Sequence, residues 1–370
     1  MAQSKLKKFR LQAILQSQLK AVKMKITPFM IILIFAFVVG CTASSTSKPK
    51  EIDVFVGVQG LAAEFAKTAP PPRVFESSSF PILLKVSNKG AYSVSDKKGV
   101  ISIGMEKDYV NGLNVQQGDT TYSWDDTNQI YYDISGKTQI NPKGDEILIP
   151  MSAKTGKLDP QRETRTSTIT ATLCYPYKTT LSTTVCIDPD AAGIRPGKKV
   201  CNVKEIAFSS GQGAPIAVTK IEPQMIPELD QDIVKPQFLI FIENKGLGNS
   251  VDINNYHNVC GKSDFGDGTA GSRDIKNIWN VAFLRAYSSG NKQLICCPNL
   301  EGKCDETGND PVKMTGFVRF RDKKDFVRCT LKDGEKKNSD AYTSPLRVEI
   351  DYGYVQTFTS NFIIQKPLKY

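Results

Sequence analysis

The chain predicts an all-β protein: two tandem antiparallel β-sandwiches behind an N-terminal signal or anchor helix. Three observations carry this expectation. Four sequence segments recur in the same order in the two halves of the chain. Apolar and polar residues alternate with period two, rich in Val, Ile, Thr, Tyr and Phe. After residue 66 no long amphipathic helical pattern appears.

The leader comes first. Residues 1–25 hold seven Lys or Arg and no acid, and Ile26 to Ser47 carry no charge. The apolar run Phe29 to Val39 is shorter than the roughly 20 residues a spanning helix needs. With Lys23 and Lys25 before it, the run fits the apolar region of a secretory signal. "VVGC", ending at Cys41, resembles a prokaryotic lipobox. That resemblance implies lipidation of Cys41 and a body held outside the cytoplasm, and an uncleaved anchor places the body in the same compartment. Residues 1–23 read either as a basic amphipathic helix on anionic lipid or as a segment preceding a true start at Met24. The expected division is 1–40 for the leader and 41–51 for a tether, "TASSTSKPK" being its polar part. Its ten or so residues reach about 33 Å when extended.

With the leader set aside, 41 basic and 38 acidic residues remain. The basic pI therefore belongs largely to the leader, and the body offers no nucleic-acid-binding charge pattern.

The repeat organises the rest. "FPILLKVSNKG" (80–90) recurs as "PQFLIFIENKG" (236–246), each ending in a turn signal with a permissive glycine. "ITATLCYPYKTTLSTTVCI" (169–187) matches "RVEIDYGYVQTFTSNFII" (347–364), each read as a strand, a Pro or Gly interruption and a second strand. "VISIGM" (100–105) answers "NVAFLRAY" (280–287), and "EILIPMS" (146–152) answers "DFVRCTL" (325–331). Each copy offers roughly seven short strands, which argues for a sandwich of immunoglobulin type. Copy one is expected at 52–190, a Pro/Gly-rich linker at 191–200, and copy two at 201–366 with a long inserted loop at 247–278. Each copy is long enough to bury its own core.

"FPILLKVSNKGAYSV", preceded by "PPPRVFESSSF" and followed by "INPKGDEILIPMSA", resembles the CARDB-like, adhesion-type modules of prokaryotic surface proteins. The whole chain resembles exported proteins of archaeal type. The resemblance implies extracellular scaffolding or binding and brings no catalytic residues.

Nine cysteines leave eight when Cys41 is set aside: Cys174, Cys186, Cys201, Cys260, Cys296, Cys297, Cys304 and Cys329. An even set in an exported chain reads as disulfides. Cys174 and Cys186 lie symmetrically about Thr180, so a hairpin there would bridge them, with Cys186 to Cys201 as the competing pair. The vicinal Cys296 and Cys297 are expected to take different partners, Cys329 and Cys304.

Candidate chemistry is sparse. The copy-two insertion holds His257, the single histidine, with Cys260, Asp264 and Asp267. His257 and Cys260 with Cys296, Cys297 and Cys304 match zinc ligand types, and the two carboxylates match calcium ligand types. Disulfides and an ordinary surface loop explain the same residues, so no metal or other cofactor is expected. In copy one, Tyr122, Trp124, Tyr131 and Tyr132 are binding candidates if exposed and strand aromatics if buried. One histidine and no Gly-x-Ser-x-Gly leave little for nucleophilic catalysis. The expectation is a non-enzymatic, membrane-tethered extracytoplasmic protein for adhesion or assembly with envelope proteins or glycans. Its alternatives are a ligand- or glycan-binding lipoprotein and a metal-dependent enzyme.

Overall fold

Strands with one buried and one open face account for almost all regular structure, as the period-two pattern predicts. The strand Ile233–Asn244 alternates without a break over twelve residues. The structure is a computed structural model. It describes residues 53–117, 120–125, 129–190, 192–195, 197–229, 231–261, 277–298, 304, 315–337 and 339–367. These belong to one compact unit, Ile52–Tyr370. The leader, Cys41 and the tether lie outside the described residues, as do Asp264 and Asp267. Among the described residues no helix is long and apolar enough to cross a membrane.

The first half contains β1 (Leu61–Phe65), β2 (Arg73–Phe75), β3 (Ser79–Asn88), β4 (Val94–Met105), β5 (Val110–Val115), β6 (Tyr122–Trp124), β7 (Gln129–Ile134), β8 (Glu146–Thr155) and β9 (Thr164–Ile187). The second begins with β10 (Ile206–Ala207), β11 (Ile216–Pro227), β12 (Ile233–Asn244) and β13 (Asn249–Val251). A four-residue helix, α1 (Tyr256–Val259), follows. Then come β14 (Val281–Ser288), β15 (Lys292–Gln293), β16 (Ile295–Pro298), β17 (Phe317–Arg319), β18 (Lys324–Thr330), β19 (Glu335–Lys336) and β20 (Tyr342–Gln365).

The repeat is visible as topology. One sheet of the first half runs β1-β3-β8-β5, and its counterpart runs β11-β12-β18-β16 with β10 added at the edge. The third sheet belongs to both halves, in the order β15-β14-β20-β9-β4-β7-β6. Pairing is antiparallel throughout except between β2 and β20, and no sheet closes. The seam is β9 against β20, two strands of 24 residues paired from Ile187–Tyr342 to Thr164–Gln365. Tyr175 faces Tyr354, Pro176 faces Gly353 and Tyr177 faces Tyr352. The repeat therefore folds about a pseudo-two-fold axis at the Pro176–Gly353 pair.

The expected break at Tyr175-Pro176-Tyr177 is absent, and β9 is continuous. β4 stops pairing at Cys174, so Pro176 lies where β9 has one ladder neighbour, and its missing N–H costs no second ladder. Continuity also removes the expected hairpin at Thr180. Cys186 bonds Cys201, and Cys174 bonds Cys260 at 86 residues' separation. Cys296 bonds Cys329, and Cys297 bonds Cys304. Four disulfides are the chemistry of an oxidising compartment.

One apolar core runs through both halves, with Ile82, Leu84, Ile149, Leu173, Ile240 and Ile350 fully buried. At its centre lie Tyr175, Tyr177, Tyr352 and Tyr354, ring against ring. Their hydroxyls explain the repeated Asn-Lys-Gly. Tyr177 donates to Asn88 Oδ1 at 3.1 Å, and Tyr354 donates to Asn244 Oδ1 at 3.2 Å. Each of those oxygens also accepts the N–H two residues on, from Gly90 and Gly246. Each Asn Nδ2 then closes the turn on a backbone carbonyl, that of Tyr92 or Gly248. Buried polar atoms need such partners, and each half satisfies them in the same way.

Candidate ligand groove on the shared sheet

The outward face of the shared sheet differs between the halves. On β9 the even-numbered residues point outward, so Thr168, Thr170 and Thr172 form a row of hydroxyls one strand-pleat apart. Ser102 of β4 pairs with Thr172 on one side, and Thr357 of β20 pairs with it on the other. These residues floor a groove of about 550 Å³.

The groove wall is built by α1 and the residues on its C-terminal side. A single helical turn is not stable alone. Here Tyr256 is buried with Val251 and Val355, and the residue after the helix, Cys260, is bonded to Cys174 on β9. Gly353 permits the close seating, since a Cβ there would lie 2.6 Å from Cβ of Tyr256. Asp252 Oδ1 fixes the entry to the turn by accepting the N–H of Asn254 and Nδ2 of Asn255. Val259 and Trp279 complete the apolar wall. Glu106 stands at the far end of the groove, where it accepts from Ser167 Oγ at 2.8 Å and lies 3.5 Å from Arg165.

The threonine hydroxyls of the floor are committed sideways. Thr168 donates to Asn361 Oδ1 at 2.8 Å, and Thr170 donates to the Gly104 carbonyl at 3.4 Å. Thr172 and Thr357 share one hydrogen bond of 3.0 Å. Each hydroxyl has one proton and two lone pairs, so what remains turned to the groove is mostly acceptor capacity.

In the second half, the positions related by the pseudo-two-fold carry charge. Arg285 pairs with Glu349 across β14 and β20, as Ser102 pairs with Thr172 across β4 and β9. Glu349 is 7% exposed and accepts from Lys178 at 3.4 Å and from Arg347. Lys178 also lies 3.3 Å from Asp351, which binds Arg285. Burial alone would raise the Glu349 pKa, but Lys178 and Arg347 outweigh it and hold the carboxyl below its usual range. Burial likewise pulls Lys178 down, while Asp351 and Glu349 together keep it above the usual lysine value.

The residues singled out by sequence fall in several places. Tyr122 and Tyr132 are buried, and Tyr132 is opposite Tyr122 in the ladder. Trp124 is half-buried against the main core. Tyr131 alone turns outward, where it packs on the cluster beneath α1. Burial raises its phenol pKa, with Asp125 adding to the shift. The four aromatics thus present no common surface. His257 is exposed on α1 with its ring 5.5 Å from that of Tyr256. The sulfurs of Cys260, Cys296, Cys297 and Cys304 are all in disulfides, which removes the nitrogen–sulfur ligand set read from the sequence. Among the described residues no three His, Cys, Asp or Glu side chains are gathered to hold a metal.

Sequence reading missed the groove itself. Its available signal was Thr at every second position from 166 to 172. That pattern reads as the solvent face of any strand until α1 and Trp279 are placed beside it.

No protein-family model matches the chain, and no curated protein matches it. Among solved structures, the chain is similar to the C-terminal domain of the Streptococcus pyogenes antigen I/II-family protein AspA at 7% identity. That match covers 84% of this chain and 100% of that one, with a TM-score of 0.20. The C-terminal domain of the Streptococcus agalactiae antigen I/II polypeptide BspA matches at 6% identity over 80% and 95%, with a TM-score of 0.18. AvmM, which catalyses macrocyclization in alchivemycin A biosynthesis, matches at 13% identity over 34% and 78%, with a TM-score of 0.19. Likenesses at these scores carry no argument about function.

Proposed function

We propose that this chain is a non-enzymatic extracytoplasmic protein, anchored through its N-terminal leader, that serves adhesion or assembly with other envelope components. The observation that carries the reading is the set of four disulfides bracing an all-β body. Such bonds persist where thiols are not kept reduced. The lipobox-like "VVGC" supplies the anchor, with diacylglycerol on Cys41. One acyl chain holds a protein to a membrane only marginally, so the two-chain form is the effective one. The antiparallel sheets of each half support modules of immunoglobulin type, and the CARDB-like resemblance of copy one supports scaffolding on a cell surface. A second reading, capture of a ligand or glycan, is favoured by the groove.

Protease treatment of intact cells, combined with metabolic labelling by a fatty-acid analogue, tests the placement. The expected outcome is digestion from outside and a label that Cys41→Ser removes. A protease-protected, unlabelled cytosolic chain would overturn the reading.

A further inference from the structure

We infer that the groove between Trp279 and the Thr168-Thr170-Thr172 row is a binding site for a neutral carbohydrate. The inference rests on the reading of the chain as an exported binding protein and names what one face of it binds.

The chemistry of the floor selects the class. Three of the five hydroxyl protons of Ser102, Thr168, Thr170, Thr172 and Thr357 are spent on neighbours within the sheet, while nine of the ten lone pairs are left open. The lone pairs that remain ask for a ligand that brings protons. An anion such as phosphate would meet acceptors and is disfavoured. A cation is not called for either, because Arg165 and Ser167 already engage the one carboxylate of the lining, Glu106. A polypeptide offers backbone donors and acceptors in equal number, and it is usually read by an open strand edge. Here the floor is the face of a sheet whose central strand, β9, has β4 on one side and β20 on the other. A sugar supplies several hydroxyl donors from one ring.

The wall selects the same class. Trp279 lines the groove with its Nε1 buried, so what it offers there is apolar ring surface. An apolar aromatic face beside a carpet of hydroxyls matches a pyranose, which has C–H bonds on its faces and O–H bonds around its rim. The volume, about 550 Å³, falls within the range of small-ligand sites. The disulfide Cys174–Cys260 makes the wall rigid, so the ligand finds both surfaces already in place.

The charged half provides the internal control. Equivalent sheet positions there are filled by Arg285, Arg347, Lys178 and Glu349, which satisfy one another. Substitution there should not touch sugar binding.

The test uses the full chain in a sugar-free detergent and a panel of neutral oligosaccharides of glucose, mannose, galactose and N-acetylhexosamines. Binding is followed by isothermal calorimetry and by quenching of tryptophan fluorescence. At least one panel member should bind. Trp279→Ala and Thr172→Val should each weaken it by about tenfold or more, and Arg347→Ala should leave it unchanged. Disulfide mapping and circular dichroism on each variant show that the fold is retained. Absence of binding across the panel overturns the inference, as does binding that the groove variants leave intact. Cross-linking of an envelope polypeptide through a photoreactive residue at Thr357, with no sugar bound, also overturns it while leaving the exported-adhesin reading standing. Failure of that parent reading is registered separately, by cell-surface protease treatment.

Discussion

The two halves of the shared sheet have the same ladder and opposite outer surfaces. Around Ser102 and Thr172 the first half shows hydroxyls that keep most of their lone pairs open, the Thr172 and Thr357 hydroxyls sharing one hydrogen bond. Around Arg285 and Glu349 the second half shows ions that neutralise one another. Inside, the halves agree: Asn88 and Asn244 are held by Tyr177 and Tyr354 in the same way. The lesson is a separation of tasks. The inner face maintains the repeat, because a pseudo-two-fold seam tolerates only what both sides accommodate. The outer face is free to differ, and the difference leaves one half open to a ligand and the other closed.

Breaking the inner agreement should cost most. Tyr177→Ala and Tyr354→Ala should each destabilise the protein by about 3–5 kcal/mol, as aromatic truncations in a packed core do, and by similar amounts in urea unfolding. A much smaller loss on one side would show that the seam is not balanced.

Next come the disulfides. Cys174→Ala with Cys260→Ala should lower stability by about 2–5 kcal/mol and also abolish sugar binding. Cys296→Ala with Cys329→Ala should lower stability and spare binding. Equal effects of both double variants on binding would erase the distinction between the halves.

The charged half comes third. Lys178→Met leaves Glu349 and Asp351 short of a cation, which should cost about 1–3 kcal/mol without altering the groove. The Glu349 carboxyl is held below its ordinary 4.5, so its contribution is complete above that pH and lost as pH falls beneath it. Glu349→Gln should therefore flatten the acid limb of a melting-temperature profile. At the alkaline end the sign reverses. Burial raises the phenols of Tyr175 and Tyr352 well above their ordinary 10, and Tyr354 is pushed up to about 12. Unfolded tyrosines release protons first, so stability should fall as pH rises past 10.

The smallest effect on stability belongs to Thr172→Val. It exchanges one exposed-face hydroxyl for a methyl and should change unfolding by no more than about 0.5 kcal/mol. Any larger shift would mean the hydroxyl row serves the fold and not a ligand.

The sequence was legible where a local pattern has a local cause. Alternation placed the long strands β3, β4, β8, β9, β12, β14, β18 and β20, and Asn-Lys-Gly marked both turns. The split of Cys296 and Cys297 between Cys329 and Cys304 was also readable, because neighbouring residues on a strand face opposite ways. Features set by distant partners were not legible. Pro176 looked like a break because the sequence does not show that β4 has already ended. Cys174 looked like half of a hairpin bridge because nothing local points to Cys260. Trp124 drew attention as the aromatic of a motif, whereas Trp279 gained its place only when α1 was fastened beside the threonine row.

The most direct test is the cysteine map of protein taken from native membranes, read by mass spectrometry under non-reducing conditions with stepwise reduction. Peptides joined as Cys174–Cys260, Cys186–Cys201, Cys296–Cys329 and Cys297–Cys304 are the predicted result. Free thiols at these positions, or Cys174 joined to Cys186, would contradict both the oxidised body and the groove wall that depends on it.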